Sequence, residues 1–276
     1  MVEQGLASGW TRPRVFAEPP LALPREQLLL FPRHSIVELE PDARHSDLYK
    51  FAQGDDGHWY FLKTDLGSSP TRANEWISYR LARMIGIPVP PFCTIRAQNG
   101  DILFGSRKLD DVSDSLETAL FLREPSSNEL GVLVCGLREL LSSIYVFDLF
   151  LQNVDRHLEN YISTVRGTQR ELFAIDFARS LFYEWPLNGF LSPDCNTRDT
   201  WRRLRVWHGF DERAAQITLN RLAAIKPPEV ESVLREMPAH WLSAERRETL
   251  IAYCVEGGWM SRIDLLRQGL SNGSLA

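Results

Sequence analysis

The chain has 276 residues, 44% of them hydrophobic and 24% charged, with a formal net charge of −5. That length suffices for one large domain or two tightly joined lobes with a proper core. The charge balance argues against nucleic acid as the main ligand, and the longest candidate membrane run, Ile144–Leu151, is interrupted by Asp148 and falls far short of the ~20 residues a span requires.

The N-terminal MVEQGLASGWTRPRVF lacks the apolar h-region of a signal peptide. Residues 1–33 form a proline-rich segment, with Pro13, Pro19, Pro20, Pro24 and Pro32, and read as an extended arm. Four cysteines, Cys93, Cys135, Cys195 and Cys254, are scattered without a C-x-x-C pair, so no zinc knuckle or thioredoxin-type site is signalled. Reduced thiols and a soluble, cytoplasmic protein without membrane attachment are the expectation.

Residues 34–110 read as a small β-rich unit. His34–Leu39 is a first strand, and the aromatic runs Leu48–Gln53 and Trp59–Thr64 form a hairpin around Gly54-Asp-Asp-Gly57. A helix follows, with Ser69 as expected N-cap and Pro70 at the first helical position. Ile77, Leu81 and Met84/Ile85 recur on it at helical spacing. Gly86 suits its C-cap, and Pro88, Pro90 and Pro91 forbid continuation. Two more strands, Phe92–Ala97 and Ile102–Gly105, flank the turn Gln98-Asn-Gly-Asp101.

From about Asp111 the pattern turns helical, and 111–270 reads as a larger helical unit followed by a flexible tail, 271–276. Leu137–Leu151 is a long, apolar, buried helix. The polar stretch Gln152-Asn-Val-Asp-Arg-His-Leu-Glu-Asn160 comes next, then short strands Tyr161–Val165 and Glu171–Ile175 around Arg166–Gln169. Residues 196–268 are mostly helical. Their cluster Trp201-Arg-Arg-Leu-Arg205 could touch phosphate, but reads first as a solvated helix face with buried aromatics.

The hairpin supplies a geometric inference. A turn centred on Gly167-Thr168 pairs residues whose numbers sum to about 335, bringing Asn160 and Asp176 together at its open end. Asp155 lies in the loop that delivers the first strand. Two carboxylates and an amide oxygen converge there, the hard oxygen ligands that Mg²⁺ prefers. Lys63 ends an apolar strand where a cation reaches phosphate oxygens, and Glu75 on the next helix can hold that ammonium by a charge-assisted hydrogen bond. Lys63, Glu75, Asp155, Asn160 and Asp176 stand in the order that protein-kinase-like enzymes use.

On these residues the sequence resembles the HipA-like kinases, particularly their compact branch. The matching pieces are F-L-K (61–63), N-E-W-I-S-Y-R-L-A-R-M-I-G-I-P-V-P (74–90), F-G-S-R (104–107), F-D-L-F-L-Q-N-V-D-R-H-L-E-N (147–160) and A-I-D-F (174–177), within residues 48 to about 180. D-R-H-x-x-N is also similar to the phosphoinositide-kinase motif. The resemblance implies an α+β, two-lobed protein-kinase-like fold, with a small β-rich N-lobe, a larger mainly helical C-lobe and ATP between them. Lys63 would contact the α/β-phosphates and Glu75 would anchor it. Asp155 would accept or orient the acceptor hydroxyl, while Asn160 and Asp176 would hold Mg²⁺. The connector Ser106, Arg107, Lys108 and Leu109 would meet adenine through backbone groups.

The sequence departs from kinase habit at one place. With Leu48–Gln53 and Trp59–Thr64 as second and third strands, the phosphate-covering loop is Pro41-Asp-Ala-Arg-His-Ser-Asp47, which has no glycine. Arg44, His45 or Ser46 would have to contact phosphate by side chain. Neither G-x-G-x-x-G nor G-x-x-x-x-G-K-[ST] occurs. Each site residue also has an innocent reading. Lys63 is a solvated strand-end charge, Glu75 pairs with Tyr79 or Arg72, and Asp155, Asn160 and Asp176 are turn and capping residues. His157 braces its loop, Asn153 caps a helix and Asp148 is a buried structural carboxylate.

Three functions follow as expectations. The first is an ATP- and Mg²⁺-dependent kinase acting on a protein Ser or Thr hydroxyl, with an antitoxin or other regulatory partner as the resemblance implies for some members. The second is a small-molecule or lipid kinase, and the third a pseudokinase or nucleotide-binding scaffold. Ser35, Ser46, Ser68, Ser69 and Thr71 are hydroxyls near the expected cleft, and nothing selects among them.

Overall fold

The protein is described by a computed structural model over residues 31–40, 50–65, 67–124, 137–166 and 169–275. Arg44, His45, Ser46, Cys135 and the arm through residue 30 lie outside the described residues.

Strands β1 (Arg33–Leu39), β2 (Lys50–Gly54), β3 (Trp59–Lys63), β4 (Phe92–Arg96) and β5 (Ile102–Arg107) close into a barrel in the order β1-β2-β3-β5-β4. All neighbours are antiparallel except β1 and β4, which meet in parallel through Arg33 with Ile95 and His34 with Arg96. Alternation along β3 turns Tyr60 and Leu62 inward, where they meet Ala52, Ile95, Ala97 and Leu103. The other face of the hairpin carries Phe51, stacked on Trp59 at 4.7 Å and 5.0 Å from Phe61. The barrel leaves little room at Gly105, where a Cβ would lie 2.7 Å from Ile95 Cγ1. The expected last strand does not stop at that glycine. It runs on to Arg107, because Ser106 pairs with Phe61 on one side and Phe92 on the other.

Helix α1 (Thr71–Ile85) joins β3 to β4. Its start corrects one expectation. Pro70, not Ser69, occupies the N-cap position, and no side-chain bond comes from it. The cap is supplied from further back: Asp65 Oδ1 accepts the Arg72 N–H at 3.0 Å and its Oδ2 takes the Arg72 guanidinium at 2.6 Å. A carboxylate reaches orphan N–H groups from the preceding loop, and its charge suits the positive helix end better than a hydroxyl does. Gly86 closes the helix at φ 81°, its N–H reaching the carbonyls of Ala82 and Arg83.

The larger unit is helical around one hairpin. In chain order it contains α2 (Ser115–Arg123), α3 (Leu137–Leu151), β6 (Tyr161–Arg166), β7 (Gln169–Ala174), α4 (Asn196–His208), α5 (Glu212–Ala224), α6 (Pro227–Glu236), α7 (Ala244–Val255) and α8 (Gly258–Ser271). Asp114 and Glu117 start α2 with a reciprocal capping box. Helix α3 is buried on nearly every face, as an all-round apolar helix must be. The β6–β7 register runs from Tyr161 opposite Ala174 to Arg166 opposite Gln169. On α4, Trp201 and Leu204 are buried while Arg202, Arg203 and Arg205 face solvent.

The expected tail, 271–276, is described through Leu275. Leu275 is 2% exposed, and its carbonyl accepts from Tyr145 Oη at 2.8 Å. Its side chain lies over Gly269 of α8, where a Cβ would come within 2.5 Å of Leu275 Cδ1. Among the described residues, no helix is long and apolar enough to cross a membrane. The described cysteines, Cys93, Cys195 and Cys254, are free thiols, each half-buried.

Candidate active site

The candidate site lies where the barrel, α1, the polar loop after α3 and the end of the β6–β7 hairpin meet. Lys63 closes β3 opposite Phe104, so both project to the same side of the sheet. Phe104 packs edge-on against Tyr79 of α1 at 5.1 Å, and Tyr79 Oη shares a 3.2 Å hydrogen bond with Ser106 Oγ. One helical turn before Tyr79 on the same face is Glu75. That packing brings Lys63 Nζ to 3.8 Å from Glu75 Oε1 and 3.1 Å from Asp176 Oδ2.

The innocent pairing of Glu75 with Arg72 does not occur, since Arg72 is held by Asp65. Glu75 is 1% exposed and lies beside both Lys63 and Asp176. Burial raises its pKa to about 8, with Lys63 opposing the rise and Asp176 adding to it. Burial also acts to raise the pKa of Asp176, but the adjacent Lys63 ammonium overcomes it and the net shift is downward.

Asp176 is fixed by the backbone around it. It adopts φ 60°, a region that Asp tolerates better than most residues. The segment beyond it is stitched to α1. Asn74, fully buried, donates from Nδ2 to Ala178 O at 2.9 Å and accepts from Phe182 N at 3.3 Å, and Ser78 Oγ lies 3.0 Å from Ser180 Oγ. One helix thus supplies both the Glu75 carboxylate and the polar groups that hold the chain just past Asp176.

Asn160 precedes β6. Its Nδ2 donates to the Asp155 carbonyl at 2.8 Å, and its own carbonyl accepts from Ile175 N at 3.0 Å. The hairpin therefore sets Asn160 opposite Ile175, one residue before Asp176. With the amide nitrogen committed to a carbonyl, Oδ1 is the end turned the other way, an oxygen available as a ligand. Asp155 is surrounded by donors. His157 Nε2 lies 2.7 Å and Asn196 Nδ2 2.5 Å from its Oδ1, and Arg179 lies 3.2 Å from its Oδ2.

Arg156 organises this loop, although sequence reasoning gave it no role. Its guanidinium is buried and forks onto Asp148 of α3, Nε to Oδ2 and Nη2 to Oδ1, each at 2.8 Å. Its Nη1 donates to the carbonyls of Asn160, at 3.1 Å, and Ile175. Asn153 adds a 2.8 Å bond from Nδ2 to Asp148 Oδ1. Burial opposes the Arg156 charge, but the Asp148 carboxylate outweighs it and the pKa is raised. One buried cation thereby ties α3 to both residues at the base of the hairpin. A signal for it existed: a carboxylate in an apolar helix requires a counter-cation, and Arg156 stands eight residues on. Arg179 and Asn196 carried no local signal.

The connector is drawn in part into the barrel. Ser106 and Arg107 belong to β5, the Arg107 N–H donates to Pro91 O at 2.7 Å, and the Lys108 N–H donates to Trp59 O at 2.7 Å. The Ser106 hydroxyl is the one bonded to Tyr79. Barrel closure thus consumes the backbone donors of Arg107 and Lys108. Of the four expected adenine contacts, Leu109 keeps both its backbone groups, and Lys108 its carbonyl, outside the described hydrogen bonds. Past it, Asp111 and Ser113 already pair with β6, through Val165 N to Asp111 O at 3.2 Å and Ser113 N to Ser163 O at 2.9 Å.

Among the described residues there is no cluster of three or more His, Cys, Asp and Glu side chains suited to a metal. The donors at this site are the Asp176 carboxylate and Asn160 Oδ1. Such a sparse, all-oxygen set fits Mg²⁺, which is usually bound by one or two protein carboxylates together with substrate phosphates.

A family model described as HipA-like kinase matches residues 51–255, well over half of the chain. Among solved structures, the Helicobacter pylori proinflammatory kinase CtkA matches at TM-score 0.50 and 14% identity, covering 79% of this chain and 90% of that one. HipA of Shewanella oneidensis MR-1, solved with HipB and operator DNA of a toxin–antitoxin system, matches at TM-score 0.49 and 14% identity, covering 86% of this chain and 67% of that one. No curated protein matches. At such identity the likeness to CtkA speaks to the fold alone, and that fold is kinase-like.

Proposed function

The chain belongs to the HipA-like kinase family, and from that premise we propose that it transfers the γ-phosphoryl group of ATP to a Ser or Thr hydroxyl of a protein. The observation that carries the proposal is the meeting of Lys63, Glu75 and Asp176 within 4 Å of the Lys63 ammonium, contributed by β3, α1 and the end of the hairpin. A solvated strand-end lysine would not be drawn into such a group.

In this reading Lys63 binds the α- and β-phosphate oxygens of ATP, and Glu75 keeps its ammonium in place. Asp155 orients the acceptor hydroxyl and takes its proton at a carboxylate oxygen. Asp176 and Asn160 hold Mg²⁺, which when bound would neutralise phosphate charge. Leu109 supplies the backbone groups that meet adenine. The residues bind, orient and hold a proton, because phosphoryl transfer asks for positioning and charge stabilisation more than for covalent chemistry.

The test incubates purified protein with radiolabelled ATP and Mg²⁺, alone and with a cytoplasmic extract, beside Asp155→Ala and Asp176→Ala. Label on this protein or on an extract protein, lost in both variants, supports the proposal. ATP binding that depends on Mg²⁺ without any labelled protein would favour the scaffold reading, or a non-protein acceptor, for which the glycine-free segment 41–47 is the motivating feature. Absence of ATP binding would overturn the proposal.

A further inference from the structure

The dipeptide Asn196-Thr197, at the start of α4, engages the polar loop at five points although it lies some forty residues further along the chain. The Thr197 hydroxyl donates to Asn153 O at 2.5 Å and accepts from Arg156 N at 2.9 Å. The Thr197 N–H points to Val154 O at 3.4 Å. Asn196 Nδ2 lies 2.5 Å from Asp155 Oδ1 and 3.1 Å from His157 Nε2. Every residue from Asn153 to His157 is therefore touched by one of these two side chains or by the Thr197 amide. Thr197 is 1% exposed, so its contacts are made away from solvent.

The division of labour is chemical. Thr197 reads the loop backbone, one carbonyl and one N–H, and fixes its path. Asn196 touches the carboxylate of Asp155. An amide NH₂ can only donate, so it holds Oδ1 of the carboxylate, while Oδ2 faces Arg179. We propose that Asn196-Thr197 is a staple that positions the catalytic loop, with Asn196 the residue that sets the orientation of Asp155. The assignment rests on the kinase reading for its effect on rate, and on the hydrogen-bond pattern alone for its effect on the loop. Both act through the loop rather than on substrate, so both are positioning residues.

The experiment compares Asn196→Ala and the isosteric Asn196→Asp with the wild type, measuring kcat, KM for ATP, ATP binding and thermal stability, with Asp155→Ala as reference. The expected result is a kcat lowered by about 10- to 100-fold in Asn196→Ala, the scale on which small misplacements of a reacting group act, with KM for ATP and ATP binding within about twofold. Asn196→Asp falls at least as far, since a second carboxylate repels Asp155 where the amide donated. A residue that merely filled space would tolerate the isostere, so activity in Asn196→Asp within twofold of the wild type overturns the proposal. If Asp155→Ala leaves phosphorylation intact, the kinase reading has failed rather than the staple. The staple is then read by hydrogen exchange: Thr197→Val must speed exchange at the Arg156 amide, and unchanged protection there overturns it regardless of activity.

Discussion

Removing Asp148 is the sharpest test of how the loop is held. Asp148→Ala deletes both arms of the fork to Arg156 and the acceptor of Asn153 Nδ2, three hydrogen bonds of 2.8 Å. It leaves a guanidinium that is 1% exposed without its counter-charge. Breaking a buried pair from one side costs about 3–5 kcal/mol, most of it the penalty of the stranded charge. For a chain of this size, at about 2 °C per kcal/mol, Tm should fall by about 6–10 °C. The double variant Asp148→Leu/Arg156→Met removes the stranded charge and should be less destabilised than Asp148→Ala. It should still lose activity, because the carbonyls of Asn160 and Ile175 no longer share a donor. Urea unfolding followed by circular dichroism gives the stabilities, and the label-transfer assay gives the activities. A loss below about 1 kcal/mol in Asp148→Ala, or a double variant weaker than the single, would refute the reasoning.

Two further outcomes are expected. Asp65→Ala should cost about 1 kcal/mol by uncapping α1, whereas Ser69→Ala should be close to neutral because Ser69 Oγ has no hydrogen-bond partner; equal losses in chemical denaturation would contradict the cap assignment. His208 ends α4, buried, with Nε2 donating to Leu122 O at 2.8 Å, and burial lowers its pKa below the ordinary value of 6.5 although the Leu122 bond opposes the shift. The unfolded chain then binds the proton more readily than the folded one, so its contribution to stability is present above about pH 6.5 and is lost as pH falls through the folded pKa. Tm measured between about pH 7 and pH 5 should decline less steeply in His208→Gln, and parallel curves would exclude the linkage.

Much of this molecule is legible in the amino-acid sequence alone. The aromatic alternation of Trp59–Lys63, the helix ended by Gly86 and the prolines, and the apolar run into α3 are local patterns set by side-chain period and backbone preference, which act over a few residues. The order of Lys63, Glu75, Asp155, Asn160 and Asp176 is legible for the same reason, since each closes or follows such a pattern. The hairpin register comes from turn position alone, because pairing two strands leaves one free parameter.

Long-range packing settled the rest. Whether Arg72 would take Glu75 or Asp65 depended on where the loop before α1 folds back. The connector lost two of its expected backbone donors because the barrel closes through Arg107 and Lys108, and strand pairing beyond neighbours leaves no mark in a short window. Leu275 is held by Tyr145 of α3 and lies over Gly269 of α8, and the first of these partners is far from it along the chain. Asn196 and Arg179 reach Asp155 from other segments, and a hydrogen bond across forty residues has no periodicity to betray it. Local rules choose the elements and their polar ends; the directions in which those ends point are chosen by the core that packs beneath them.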